Sequence, residues 1–431
     1  MDPIVWDRAA AAHLYRRAAF GTTPEDLVRA LDEGLEGTVD RLLDFEAVDD
    51  SALDQRLASF DLETIGGLVG WWLTRMIFTR RPLEERLTWF LHDHFATSYG
   101  KVQDTGWMLQ QNQLLRRFAL GNFTELTIEI SRDPAMLVWL DNFLNRKEKP
   151  NENFGRELLE LFTLGHGNFS EEDVSASVRA FTGWTISRQR RTFLFVDAFH
   201  DHGSKTFLGR TGDWNGDDIV RFACAEPAHG RLIAGKLFEF LGHANPDHHL
   251  VDHLAGAYLE AGTSLRTLVR EILTSSAFYS EASIRSSVLS PVEYLVGTIR
   301  QLEINADVTR FALGVLRTQG QVPFFPPDVD GWPAGMAWIN SGSLLSRMNF
   351  AALVTSSADP VVLLERSADT PAELVESLLK RLGPFDVPEA TRRELENYVS
   401  AEGSLPAGAE LTTKMKGLTH LILSLPEAQM S

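Results

Sequence analysis

The sequence predicts a mainly α protein: a multi-helix globular domain with one small inserted β-hairpin at about residues 191–209. Three observations lead there. Helix-start signals and 3.6-residue apolar periodicity recur along the chain. β-rich runs are confined to one stretch. No repeat of fixed period marks a solenoid or propeller. The composition agrees: 44% of 431 residues are hydrophobic and 23% charged, enough apolar material for a large core.

Taken in order, Thr23 before Pro24 and Glu25 marks a helix start, a capping hydroxyl followed by proline in the first turn. Helices are expected near 67–79, 82–96, 107–120 and 122–131. Asn151, after Pro150, caps a helix that begins at Glu152 and ends at Gly165. Ser170 with Asp173 resembles a capping box, and that helix runs to about Thr182, before Gly183. "RTFLFV" (191–196) and "KTFLG" (205–209) flank the polar turn "HDHGS" and read as one hairpin. Further helices are expected near 217–224, 228–241, 248–261, 264–275, 291–302, 307–318, 343–355, 371–382, 388–401 and 410–424. "GQVPFFPPDVDGWPAG" (320–335) is a long ordered loop, since its aromatic rings would otherwise be exposed. The expected organisation is a main helical domain, 1–358, and a helical C-terminal subdomain packed on it, 359–431.

Charge and cysteine content narrow the function classes. With 41 Lys+Arg against 59 Asp+Glu the net charge is −18, which repels phosphate backbones and anionic headgroups. No nucleic-acid partner is expected. The run Arg188, Arg190, Arg191 is the best basic patch, and it reads as a solvated loop. Cys224 is the only cysteine, so an internal disulfide and a cysteine-rich zinc site are both excluded. It lies in an apolar run and reads as a small core residue. No membrane span is found, and no leader is visible. The expected location is the cytoplasm, or outside it if the chain is a mature form.

Two polar residues stand on apolar helix faces. At about 100° per residue, Phe154, Leu158, Leu161, Phe162 and Leu164 fill one arc of the helix starting at Glu152. Glu152, Arg156 and Thr163 lie opposite, Asn153 and Glu160 at the edge, and Glu157 inside the arc. In "RPLEERLTWFLHDHFATS", His94 falls within the arc of Leu83, Leu87, Phe90 and Leu91. His92 lies on the far side, so His92 and His94 do not chelate one metal. A carboxylate in apolar surroundings needs a partner, a hydrogen bond or a proton. His94 is the obvious partner for Glu157. The pair is either a structural tie between helices or part of a functional site.

Other polar clusters are weighed the same way. His200, Asp201 and His202 sit on the turn with Lys205 following, and the balance favours function for His200 and Lys205. Asp201 has a plainer role in making the turn. His249 and His253 have metal-compatible spacing but no third ligand nearby, and read as a solvated helix start. "GDWNGDD" (212–218) lacks the glycine and closing glutamate of a calcium loop, and Asp217 reads as a helix cap. HExxH, GxSxG and GxxxxGK[ST] are absent.

"HLYRRAAFGTTPEDL", "FLHDHFATSYGKV", "RDPAMLVWLDN", "NRKEKPNENFGRELLELFTLG", "DVSASVRAFTGW", "HDHGSKTFLGRTGDWNGDDIV" and "PPDVDGWPAGMAWINSGSLLSRMNF" together resemble the large bacterial domain-of-unknown-function family numbered eighteen hundred. The resemblance runs from His13 to about Phe350. It implies no settled activity. It does imply export with a twin-arginine leader in many members, and a co-encoded partner resembling the phosphatase and sulfatase group. The family pattern covers His94, Asn153, Arg156, Glu157, Glu160, Trp184, His200, Lys205 and Trp332. It usually has asparagine where Asp93 stands, and the position of His202 is usually not histidine, which weakens His202 as a ligand.

Two function classes compete. In the first, the protein is an enzyme with an acid/base or metal site between helices, acting on a polar substrate as a hydrolase or lyase. Glu157, His94, His200 and Lys205 would be catalytic, and Asn153, Arg156, Glu160, Trp184 and Trp332 would bind substrate. A divalent metal is one form of this site, with His94, Glu157 and His200 as candidate ligands. In the second, the protein is a non-catalytic partner or scaffold for the co-encoded phosphatase/sulfatase-like protein. It would dock through Phe324, Phe325, Trp332 and Trp338. A carbohydrate site with Trp184, Trp332, Glu157 and Glu160 ranks third, because paired carboxylates normally flank the scissile bond from two sides.

Overall fold

The computed structural model describes residues 4–187, 189–305, 309–358, 368–383, 385–400 and 403–431, with no account of the side chains at 309–310. Arg188, the helix-start positions 307 and 308, the end position 401 and the linker just after 358 lie outside the described residues.

The protein is mainly helical; the expected helices are present, and Arg8–Ala18, Ser51–Leu57, Tyr99–Val102 and Pro134–Trp139 are further helices not expected from the sequence. Ile65–Phe78, Pro82–His94, Thr105–Arg117, Phe123–Ser131, Gly216–Cys224, Pro227–Leu241, His248–Glu260 and Leu265–Leu273 occupy the first two thirds. Pro291–Gln301, Thr309–Gln319, Ser341–Ser357, Pro371–Leu382, Glu389–Val399 and Gly408–Leu423 follow. Side chains of Thr23, Ser170, Ser290 and Thr370 each accept a backbone N–H three residues on and close reciprocal capping boxes. The helix Gly216–Cys224 is capped by Asn215, which accepts from the N–H groups of Asp217 and Asp218, not by Asp217. No helix among the described residues is long and apolar enough to cross a membrane.

Two hydrophobic cores organise the packing. The first gathers Leu14, Leu43, Leu87, Phe95, Phe123, Phe162, Phe181, Leu237 and Phe278. The second gathers Trp72, Met76, Val292, Leu295, Phe324, Phe350, Leu378 and Leu418. Helices Pro371–Leu382 and Gly408–Leu423 thus share a core with Ile65–Phe78 and Pro291–Gln301. The long loop is ordered as expected: Phe324 and Trp332 are buried in this second core, as is Trp338 just beyond it.

β-structure lies in the expected region but is paired differently. β1 (Trp184–Ser187) pairs antiparallel with β2 (Thr192–Phe195), and β3 (Lys205–Phe207) with β4 (Arg210–Gly212). The runs 191–196 and 205–209 therefore do not pair with each other, and "HDHGS" joins two hairpins rather than turning one. Leu208 and Gly209, with φ of 46° and 75°, form a tight two-residue turn directly after β3. That turn type matches strand twist and makes local pairing win over the longer connection.

The helix carrying Glu157 also departs from the wheel. Asn153–Glu157 is α-helical, and Leu158–Thr163 is a π-helix. The Leu164 N–H bonds the Leu159 carbonyl five residues back, at 2.9 Å. Each residue of a π-turn rotates by less than the about 100° of an α-helix. Thr163, expected on the solvated side, is buried, and Leu161, expected in the arc, is half-exposed.

Candidate metal centre

The first thing the tertiary structure resolves is His94. Its Nε2 lies 3.2 Å from the Phe162 carbonyl. His229 Nδ1 reaches the Thr163 carbonyl at 3.0 Å, Lys236 Nζ the Leu161 carbonyl at 3.3 Å, and Asn168 Nδ2 the Leu164 carbonyl at 3.0 Å. Four consecutive carbonyls at the end of the π-helix have no intrahelical partner, and four side chains satisfy them. His94 is thus a carbonyl cap. Its other ring nitrogen is buried without a partner, and Phe90, Phe95, Phe123 and Phe162 enclose the ring. Burial, reinforced by the Lys236 ammonium, holds its pKa well below the usual histidine value.

The expected His94–Glu157 pair does not form. Glu157 is half-buried, and burial, then Glu160 and Asp330, push its carboxyl upward. Arg156 is tied to Glu152 at 2.7 Å and to Glu171 at 2.6 and 3.1 Å, with Glu160 at 3.6 Å. Asn153 is exposed, and its N–H bonds the Asn151 side chain at 3.1 Å. Trp184 is buried against Phe181 and Phe193. Trp332 is buried too, stacked on Trp89 with centroids 5.0 Å apart, while its backbone N–H donates to Asp93 Oδ1 at 2.9 Å. Burial pushes the Asp93 carboxyl up to about 6. The aromatic loop thus fills a core rather than presenting a docking face or a sugar platform.

The β insertion behaves differently. Gly183 has φ of +81°, and a Cβ there would meet the Val196 carbonyl at 2.7 Å and the His200 nitrogen at 3.1 Å. Only glycine allows the two segments to come this close. The Val196 N–H bonds the Gly183 carbonyl at 2.9 Å, which brings His200 against Thr182. His200 Nδ1 then lies 2.8 Å from the Thr182 carbonyl. A carbonyl only accepts, so Nδ1 carries the proton and Nε2 keeps its lone pair. Burial, then the Lys205 and His202 charges, lower the His200 pKa.

The loop after His200 is fixed by Asp201. Arg179 donates to it at 2.7 and 3.2 Å, and the Gly203 N–H bonds it at 2.7 Å, as a turn-forming aspartate should. His202 Nε2 lies 3.1 Å from Asp197 Oδ1, and its Nδ1 lies 3.6 Å from Asp213 Oδ2. The register Lys205↔Gly212 puts Asp213 beside Lys205, whose Nζ donates to Oδ1 at 3.0 Å. That ammonium holds the Asp213 carboxyl below its usual range.

His200, His202 and Asp213 each offer a ligand atom, all within 4.8 Å of one another, the one such group among the described residues. Tetrahedral ligands at ~2.1 Å from a zinc ion lie roughly 3.4 Å apart. Asp213 and His202, both exposed, need only a modest closure onto the fixed His200. Glu157 interacts with Glu160, Asp330, Arg156 and His166, and His200 with Lys205, His202 and Asp213, so the two sets do not overlap. The sequence brought His200 and Lys205 forward. It missed Asp213, which the hairpin register alone would have placed, and set His202 aside.

A family model described as "Protein of unknown function (DUF1800)" matches residues 13–430. No curated protein and no solved structure matches the chain.

Proposed function

We propose that this chain, which belongs to the DUF1800 family of unknown function, binds a divalent metal of the zinc class through His200, His202 and Asp213 and acts with it on a polar substrate, as a hydrolase. One observation carries the reading. The buried His200 ring is held by the Thr182 carbonyl, which leaves its other nitrogen a lone pair, and His200, His202 and Asp213 offer ligand atoms within 4.8 Å of one another. Three protein ligands with a fourth position open is the pattern of catalytic rather than structural zinc. A dication there would polarise a substrate oxygen as a Lewis acid. His94 and Glu157 belong to the packing and polar rim of the neighbouring π-helix and lie outside this reading's ligand set.

The test is metal content by mass spectrometry on protein purified without chelator or affinity metal, then incubated with zinc and dialysed. About one metal per chain is expected in wild type, with loss in His200→Ala and Asp213→Asn and retention in His94→Ala. A wild type that stays metal-free sinks the reading.

A second reading is a non-catalytic partner of a co-encoded phosphatase- or sulfatase-like protein. It is favoured by the exposed Met336, Leu345, Met348 and Leu353 on and before the helix Ser341–Ser357. It predicts a complex on gel filtration that Leu345→Glu disrupts while metal chelation leaves it intact.

A further inference from the structure

Lys205 has a feature the metal alone does not explain. Its side chain is fully buried, yet the ammonium carries three donors and has Asp213 Oδ1 as its one hydrogen-bond partner among the described residues. A buried ammonium with unused donors is costly to keep in place. The partner it does have is exposed.

The charges around the site can be counted. Arg179 neutralises Asp201. Lys205 then stands against two carboxylates, Asp213 and Asp197. A dication turns this excess of one negative charge into an excess of one positive charge. Asp213 is also divided between tasks: Oδ1 accepts from Lys205 and Oδ2 faces His202. One carboxylate thus spans the ammonium and the candidate ligand position.

We infer that the loaded centre takes an oxyanion, with one oxygen on the dication and a second accepting from Lys205, so that the substrate class is a phosphate- or carboxylate-bearing compound. This rests on the metal reading above. Drawing Asp213 onto the dication frees Lys205 donors, and an anionic oxygen replaces the lost share of that carboxylate. Lys205 is then a substrate-binding residue, and anion binding depends on the metal.

The experiment uses the full chain loaded with cobalt(II), whose visible spectrum reports the ligand set, titrated with inorganic phosphate. Phosphate should perturb the spectrum of wild type. Lys205→Met should keep the phosphate-free spectrum but weaken phosphate binding at least tenfold, and Lys205→Arg should restore most of it. Calorimetry on the metal-free chain should show no phosphate binding. If Lys205→Met does not fold, wild type decides: acetate must bind the cobalt form and neutral acetamide must not. Unchanged phosphate affinity in Lys205→Met, equal binding without metal, or acetamide binding as well as acetate overturns the inference while leaving the metal site intact. Failure of cobalt to bind removes the metal reading and this one together.

Discussion

His94 and His200 are buried to nearly the same degree, 6% and 3% exposed, and each has a ring nitrogen on a backbone carbonyl. Their surroundings differ. The second nitrogen of His94 ends in a wall of phenylalanine rings with no partner. The His200 ring instead lies beside His202, with centroids 4.8 Å apart, and groups with His202 and Asp213, whose side chains are 54% and 53% exposed. Burial of a polar ring therefore does not separate structure from function here. What separates them is whether the ring's remaining lone pair meets a sealed apolar wall or exposed groups that can close on a ligand.

Truncating each ring separates the two roles with the largest expected effect. His94→Ala removes a buried aromatic-sized side chain and a carbonyl cap, and should cost about 3–5 kcal/mol in urea unfolding. Its metal content should be unchanged. His200→Ala should lose the metal and cost less without metal, about 1–2 kcal/mol for the hydrogen bond to Thr182. The opposite assignment of the two losses would end the distinction.

A dication at a hundred times its Kd should stabilise wild type by about 2.7 kcal/mol. Thermal unfolding of Asp213→Asn should show no such shift. A comparable shift in that variant would place the metal elsewhere.

Acid sharpens the contrast between dry core and wet rim. Burial lowers His13 and His92 to about 3, from an ordinary histidine value near 6.5. Between these values the unfolded chain binds the protons and the folded chain does not, so stability falls as pH drops through that window, by up to about 1.4 kcal/mol per pH unit per group. Asp133 has the opposite sign. Burial raises it to about 7, so the folded chain holds an extra proton above pH 3.8 and loses stability as pH rises toward 7. Asn can take over its hydrogen bond to the Met136 N–H. Asp133→Asn should therefore gain on wild type between pH 4 and pH 8, as read from urea midpoints. A constant difference across that range would refute the raised carboxyl.

The smallest effect is expected at the tip of β1–β2, where Arg191 pairs with Asp104 at 2.6 Å in an exposed setting. Arg191→Ala should change stability by less than about 1 kcal/mol and leave metal binding alone. A large loss of metal affinity would mean that the rim depends on this distant pin.

Local chemistry was legible in the sequence. Capping residues, proline at first turns and apolar periodicity placed the expected helices to within three residues at either end, because those signals act within one turn of chain, but Arg8–Ala18, Ser51–Leu57, Tyr99–Val102 and Pro134–Trp139 were not expected. β2 and β3 were found for the same reason, but β1 and β4 were not, and the β3–β4 pairing depended on the Leu208–Gly209 turn, which the β-rich runs did not reveal. The wheel misplaced Thr163 because a π-turn changes the rotation per residue without a composition signal. His94 was correctly read as facing inward, yet its partner is a backbone carbonyl, and no side-chain pattern encodes which carbonyls a helix end leaves open. The grouping of His200, His202, Lys205 and Asp213 was likewise decided by tertiary structure. The close approach of Gly183 to Val196 and His200, which lie well along the chain from it, and the register of β3 on β4, set by the two-residue turn between them, bring them together.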